Sequence, residues 1–174
     1  MSGSVITAIA AALVLTAFLW KNSQAASVGV LDADDPRLVK VVEDAKATLD
    51  LFLTHGMGDD RVPMEDKGLK VRFELPFGQD NAETIWVGQI VKLGQDRFKA
   101  VLENDPVHIP GKVFGDLVEF DKSQIVDWSW IGPDNRIYGQ YYVRRLKDLQ
   151  PVPRGAEGFF EALADAPVPA GWRQ

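Results

Sequence analysis

The middle of the chain is rich in carboxylates, at Glu103, Asp105, Asp116, Glu119, Asp121 and Asp127. Such side chains do acid–base chemistry when two of them converge, and they hold a divalent cation when several do. Their spacing matches no calcium-binding loop, and Asp beside Asn, Pro or Gly is ordinary turn chemistry. The acidic candidates therefore narrow to Glu103, Asp116 and Asp127, with Arg144 as an electrostatic clamp in the case of a carboxylate-dependent hydrolase. His55 and His108 have no His or Cys partner at ligand spacing, so no metal and no cofactor are expected. Ser123 and Ser129 lack the Gly-x-Ser-x-Gly setting of an exposed nucleophile. The chain has no cysteine, which excludes disulfides, thiolate ligands, a Cys nucleophile and a lipidated cysteine.

Aromatic residues form the second set. Trp128 and Trp130 alternate onto one face of a strand, and Trp86, Tyr138, Tyr141 and Tyr142 come from strands expected to neighbour it. Aromatic ladders of this kind pack sheets and cores, and the same side chains dominate binding hot spots when exposed. The partner-binding candidates are Trp86, Trp128, Trp130, Tyr138, Tyr142 and Arg144. Asp127 is expected either to tie down a backbone amide or to pair with Arg144 or Arg145.

Positioning these residues requires a helix and several strands. Asp35 at the cap and Pro36 at the first helical position open a helix whose apolar residues Leu38, Val41, Val42, Ala45, Leu49, Phe52 and Leu53 share a face, and Gly56 stops it after His55. Residues 56–68 read as a loop. Leu69, Val71, Phe73 and Leu75 then alternate with charges as a half-buried strand, followed by a turn over 76–81. Strands are expected over 84–93 and 97–103, joined by Gly94-Gln95-Asp96 into a meander, and again over 115–120 and 125–130. Residues 137–146 read as a last long strand, with Gly139 marking a bulge or a close backbone approach. A short helix is expected over 157–164, ahead of Pro167-Val168-Pro169.

At 174 residues, 46% hydrophobic and 25% charged, the chain is sized for one globular domain with appendages. Its net charge of -6 and scattered Lys and Arg argue against a nucleic-acid partner. The start determines the address. An apolar run from Val5 to Trp20 is followed by Ser23-Gln24-Ala25, small residues of the kind a signal peptidase reads. The absence of Lys or Arg before the run, with Lys21 after it, instead suits an uncleaved anchor with a cytoplasmic body, and burial as a core helix is a third reading. Residues 1–25 are thus expected to be a signal peptide or membrane anchor and 26–33 a linker. Residues 34–149 form the domain, and 150–174 a Pro-rich tail with a short helix. The expected location is periplasmic or secreted, the alternative anchorage in the inner membrane through residues 5–20.

The motifs Asp34-Asp35-Pro36, Glu83-Thr84-Ile85-Trp86-Val87, Val101-Leu102-Glu103-Asn104-Asp105-Pro106, Gly115-Asp116-Leu117-Val118, Ile125-Val126-Asp127-Trp128 and Gly139-Gln140-Tyr141-Tyr142-Val143-Arg144 occur in that order. With this spacing the chain resembles the YegJ-like bacterial domain of unknown function from about Asp34 to Leu146. The resemblance implies a bacterial source and carries over no catalytic residues.

The expected fold is α+β, an N-terminal helix packed on a bent antiparallel sheet, of which an SH3-like curl is one form. The expected function is that of a non-enzymatic, envelope-targeted module that binds another macromolecule, most simply a protein, through its aromatic sheet face. An inhibitor or immunity-type partner and an accessory subunit of a membrane complex both fall in that class. The carboxylate-dependent hydrolase is the alternative.

Overall fold

The computed structural model describes residues 36–57, 66–74, 82–149 and 151–173. The expected signal or anchor, the linker, the Asp35 cap, Leu75 and the turn at 76–81 lie outside these residues. Helix α1, Pro36–Leu51, runs on through one π turn, Phe52–Gly56, closed by the Met57 N–H donating to the Phe52 carbonyl at 3.2 Å. Val41, Ala45, Leu49 and Phe52 are buried, as their spacing requires of one helix face.

Six antiparallel strands form one sheet: β1 Lys67–Glu74, β2 Ala82–Lys92, β3 Arg97–Leu102, β4 Leu117–Asp121, β5 Ile125–Ile131 and β6 Ile137–Gly139. Their order is β4-β3-β2-β1-β5-β6. Leu69 lies between Val87 and Trp128 across the sheet, and Val87 is in turn opposite Leu102. All four are fully buried with Leu49 and Phe52 of α1. This face of the sheet, the inner face, is the core.

The sheet cannot be flat. β4 and β5 are four strand spacings apart in the order, about 19 Å if the sheet were planar. They are joined only by the 3₁₀ turn Lys122–Gln124, and a link that short reaches roughly 14 Å even fully extended. The sheet therefore curls until the end of β4 comes near the start of β5. Gln124 pins the closure by donating from Nε2 to the Arg72 carbonyl of β1, and Phe98 and Phe120 stack inside the curl with ring centroids 5.7 Å apart.

The last long strand expected over 137–146 is not one. β6 stops at Gly139, and Tyr141–Leu149 is helix α2. Gly139 and Gln140 both have positive φ, 72° and 53°, and two such residues in succession turn the chain out of the ladder. Gly139 makes the close approach that its sequence context suggested, since a Cβ there would lie 2.1 Å from the Trp128 carbonyl oxygen. The helix starts because a carboxylate from another strand accepts its first N–H groups, as described below.

The tail folds back. Helix α3, Glu157–Ala162, buries Phe159 and Phe160 against Ile137, and Leu163 makes a parallel bridge to Ile137. Ile131 and Ile137 pair one residue from Trp130 and Tyr138, so the two pairs lie on opposite faces of the sheet. α3 packs on the first pair and Trp172 stacks on Trp130. The tail thus wraps the β6 edge from one face to the other.

Candidate functional site

The predicted aromatic set divides between the two faces. Trp128 is fully buried on the inner face, stacked 5.0 Å from Phe52, with its Nε1 donating to Thr48 Oγ1 at 3.2 Å. Trp130 and Tyr138 lie on that same face, with ring centroids 5.6 Å apart, and Trp172 stacks on Trp130 at 4.8 Å. Trp128, Trp130 and Tyr138 are packing residues here, the last two half-buried. Arg144, expected as part of an exposed anchor, instead donates to three backbone carbonyls, Gly139 at 2.6 Å, Ala164 at 2.6 Å and Ile137 at 3.0 Å. It holds the tail to β6 and does not pair with Asp127.

The other face carries a row of charged and aromatic side chains. Lys70 of β1 lies between Trp86 of β2 and Asp127 of β5 in the pairing register. The Glu103 N–H donates to the Trp86 carbonyl at 3.0 Å, which extends the row to Glu103, Trp86, Lys70 and Asp127. Residues directly opposite one another in antiparallel strands share a face. The row therefore faces away from the core residues Leu102, Val87, Leu69 and Trp128. Beside it are Gly88 and Gly68, and they set its shape. A Cβ on Gly88 would sit 1.9 Å from Glu103 Oε1, and one on Gly68 would touch the Trp86 ring at 3.4 Å. Glu103 and Trp86 thus lie down over the two glycines, while Arg72 and Thr84 on the same face stay exposed.

Burial has electrostatic consequences along this row. Burial alone pushes the Glu103 carboxyl up to about 7. Asp127 is 2% exposed, and its carboxylate accepts the N–H groups of Trp128 (2.8 Å), Tyr141 (3.2 Å) and Tyr142 (3.1 Å). It thereby satisfies donors that the first turn of α2 leaves unpaired, from a strand distant in sequence. Burial pushes this carboxyl up, against the lowering effects of the Tyr142 N–H, Lys70 and the other two amides. Lys70 is pushed down by burial and held up by Asp127. Its Nζ lies 4.3 Å from the centroid of the Tyr142 ring, a cation–π contact.

The three acidic candidates do not converge. Glu103 and Asp127 stand three strands apart, roughly 14 Å along the sheet, beyond the separation at which two carboxylates share a reacting bond. Asp116 accepts the Val113 N–H at 3.1 Å and fixes a loop. Among the described residues no group of His, Asp and Glu is arranged to hold a metal ion. A small concavity between Arg136, Tyr138 and Ala170 is lined by groups already engaged, with Tyr138 donating to Asp134 and Arg136 to the Glu161 and Leu163 carbonyls. Sequence reasoning did not single out Lys70, whose place in a simple alternation reads as a solvated charge. Only the Lys70–Asp127 register reveals its role.

Fold and site together define a curled α+β domain that presents an aromatic and charged row on its outer sheet face. The chain belongs to the family of uncharacterised proteins conserved in bacteria, DUF2314, whose model matches residues 35–150. No curated protein and no solved structure matches the chain. The matched region contains the whole row and ends before the docked tail. Among the described residues no helix is long and apolar enough to cross a membrane, and Val5–Trp20 lies outside them.

Proposed function

We propose that this protein is a non-enzymatic, envelope-targeted module that binds another protein through the outer face of its sheet, as an inhibitor or immunity-type partner or as an accessory subunit of a membrane complex. The observation that carries this reading is the row itself: Trp86 and Tyr142 flank Lys70 on a face whose neighbours Arg72 and Thr84 remain exposed. Half-buried aromatics held in place beside a cation are the usual anchors of a binding surface. The spread of Glu103, Asp116 and Asp127 over separate places speaks against carboxylate-dependent hydrolysis. Export, or anchorage through residues 5–20, rests on the apolar run and the small residues that follow it.

The test is recovery of partners by the tagged full chain in its native host, after cross-linking, with Trp86→Ala and Tyr142→Ala compared with the parent. A hot-spot aromatic should cost about 2 kcal/mol, a roughly thirtyfold weaker complex. Undiminished recovery with both variants, their folds intact by circular dichroism, would refute the assignment. The mass of the protein in membrane and soluble exported fractions tests the address, since a cleaved soluble species and an intact membrane species separate the two targeting readings.

A further inference from the structure

We propose that the cleft between the π turn of α1 and the Trp128–Trp130 pair is a receptor for one tryptophan of a peptide ligand, and that Trp172 occupies it in cis as a displaceable cover. This inference concerns the inner face and is independent of the reading given to Trp86 and Tyr142.

The walls of the cleft are held without help from Trp172. Trp128 stacks on Phe52, and its Nε1 donates to Thr48. Trp130 packs on Tyr138, and its Nε1 donates to Asp66 Oδ2 at 3.2 Å. Both indoles are therefore fixed in orientation before anything lies on them, which is the preorganisation that makes a binding slot. The floor is shaped as well. A Cβ on Gly56 would sit 3.0 Å from Trp172 Cη2 and 2.8 Å from Phe52, so a glycine at the end of the π turn opens the seat. Into it goes the Trp172 indole, 4.8 Å from Trp130, 6.2 Å from Trp128 and 5.7 Å from His55, stacked on all three.

The tail has a pinned part and a loose part. Residues 163–168 are held by the Ala164 N–H to the Ile137 carbonyl, the Gly139 N–H to the Pro167 carbonyl, Arg144 to the Ala164 carbonyl, and burial of Val168. Beyond Pro169 no side-chain hydrogen bond joins the tail to the domain among the described residues, and the Trp172 N–H donates within the tail, to Pro169. Ala170, Gly171 and Arg173 are exposed. One aromatic ring at the end of a short tether keeps the slot filled. A tether of this kind gives an effective concentration in the millimolar range, which a ligand of ordinary affinity overcomes. The ligand this slot fits is a peptide segment resembling residues 169–173, with a tryptophan after a small residue and a turn.

The probe is a labelled peptide of the sequence of residues 169–173, titrated against the full chain and followed by anisotropy. Trp172→Ala should bind it at least about tenfold more tightly than the parent chain does, since the internal competitor is gone. Adding Trp130→Ala, or replacing the tryptophan of the peptide with alanine, should abolish the gain. Equal binding by the parent and Trp172→Ala overturns the proposal. If Trp172→Ala does not fold, the parent chain still decides the matter. In a nitrogen-15 spectrum of the parent chain the Trp172 indole N–H signal, identified by its loss in Trp172→Phe, should shift on addition of excess unlabelled peptide, and a signal unchanged up to millimolar peptide overturns the proposal.

Discussion

Neutralising Glu103 should remove a pH dependence of stability from this protein. Its carboxyl lies over Gly88 beside Trp86, and burial is what displaces it from 4.5 to about 7. Between those values the folded chain holds a proton that the unfolded chain has released, so the contribution of Glu103 is fully present below about 4.5 and is lost as pH rises through 7. At about 1.4 kcal/mol per pH unit the loss is of the order of 3 kcal/mol. For a chain of this size that lowers the urea midpoint by roughly 1–2 M. Glu103→Gln keeps the shape and the neutral state, so it should match the parent near pH 4.5 and exceed it by about 3 kcal/mol at pH 8. The assay is urea unfolding followed by tryptophan emission for both proteins from pH 4.5 to 8. Other titrating groups contribute equally to the two curves, so the difference between them reports Glu103. A difference that stays constant across the range would refute the argument that burial over Gly88 sets this carboxyl.

Two further substitutions probe the junction between β5, β6 and α2. Asp127→Ala leaves three backbone N–H groups and Lys70 without their acceptor or counter-charge, and should cost about 3–5 kcal/mol with faster hydrogen exchange at Tyr141 and Tyr142. A loss below about 1 kcal/mol in urea unfolding would contradict the capping role. Gly139→Ala places a Cβ against the Trp128 carbonyl at positive φ and should destabilise by more than about 2 kcal/mol, whereas Gly171→Ala, with open space around it, should change stability by less than about 0.5 kcal/mol.

Most of the sheet is legible in the sequence because its cues are local. Leu69, Val71 and Phe73 alternate with charges, and Gly94-Gln95-Asp96 closes a hairpin, so β1 to β5 occur close to where the pattern places them. Helix α1 and the short helix at Glu157 follow for the same reason, from apolar spacing and from Pro36 at the first turn. α2 is hidden because its cause is not local. Residues 137–146 are rich in strand formers although their alternation is ambiguous around Gly139, and what makes 141–149 a helix is a carboxylate at Asp127 that accepts two of its amides. The site divides in the same way. Trp86, Glu103, Asp127 and Tyr142 were identifiable by residue type, but type does not tell that Trp128 and Trp130 face the core, that Arg144 is consumed by carbonyls, or that Lys70 completes the row.

The three-residue link between β4 and β5 bears on how the chain reaches this fold. Pairing β5 with β1 in an open chain means closing a long loop, a search whose entropic cost retards folding of sheets rich in distant contacts. The strands β1 to β4 are sequential neighbours, each paired with the next in the chain, so their pairing needs far shorter loop closures. Once they curl, Lys122–Gln124 delivers Ile125 beside Val71 with almost nothing left to search. The closure of the curl is thus what seats β5 beside β1, and Asp127, with the helix it caps, depends on that closure.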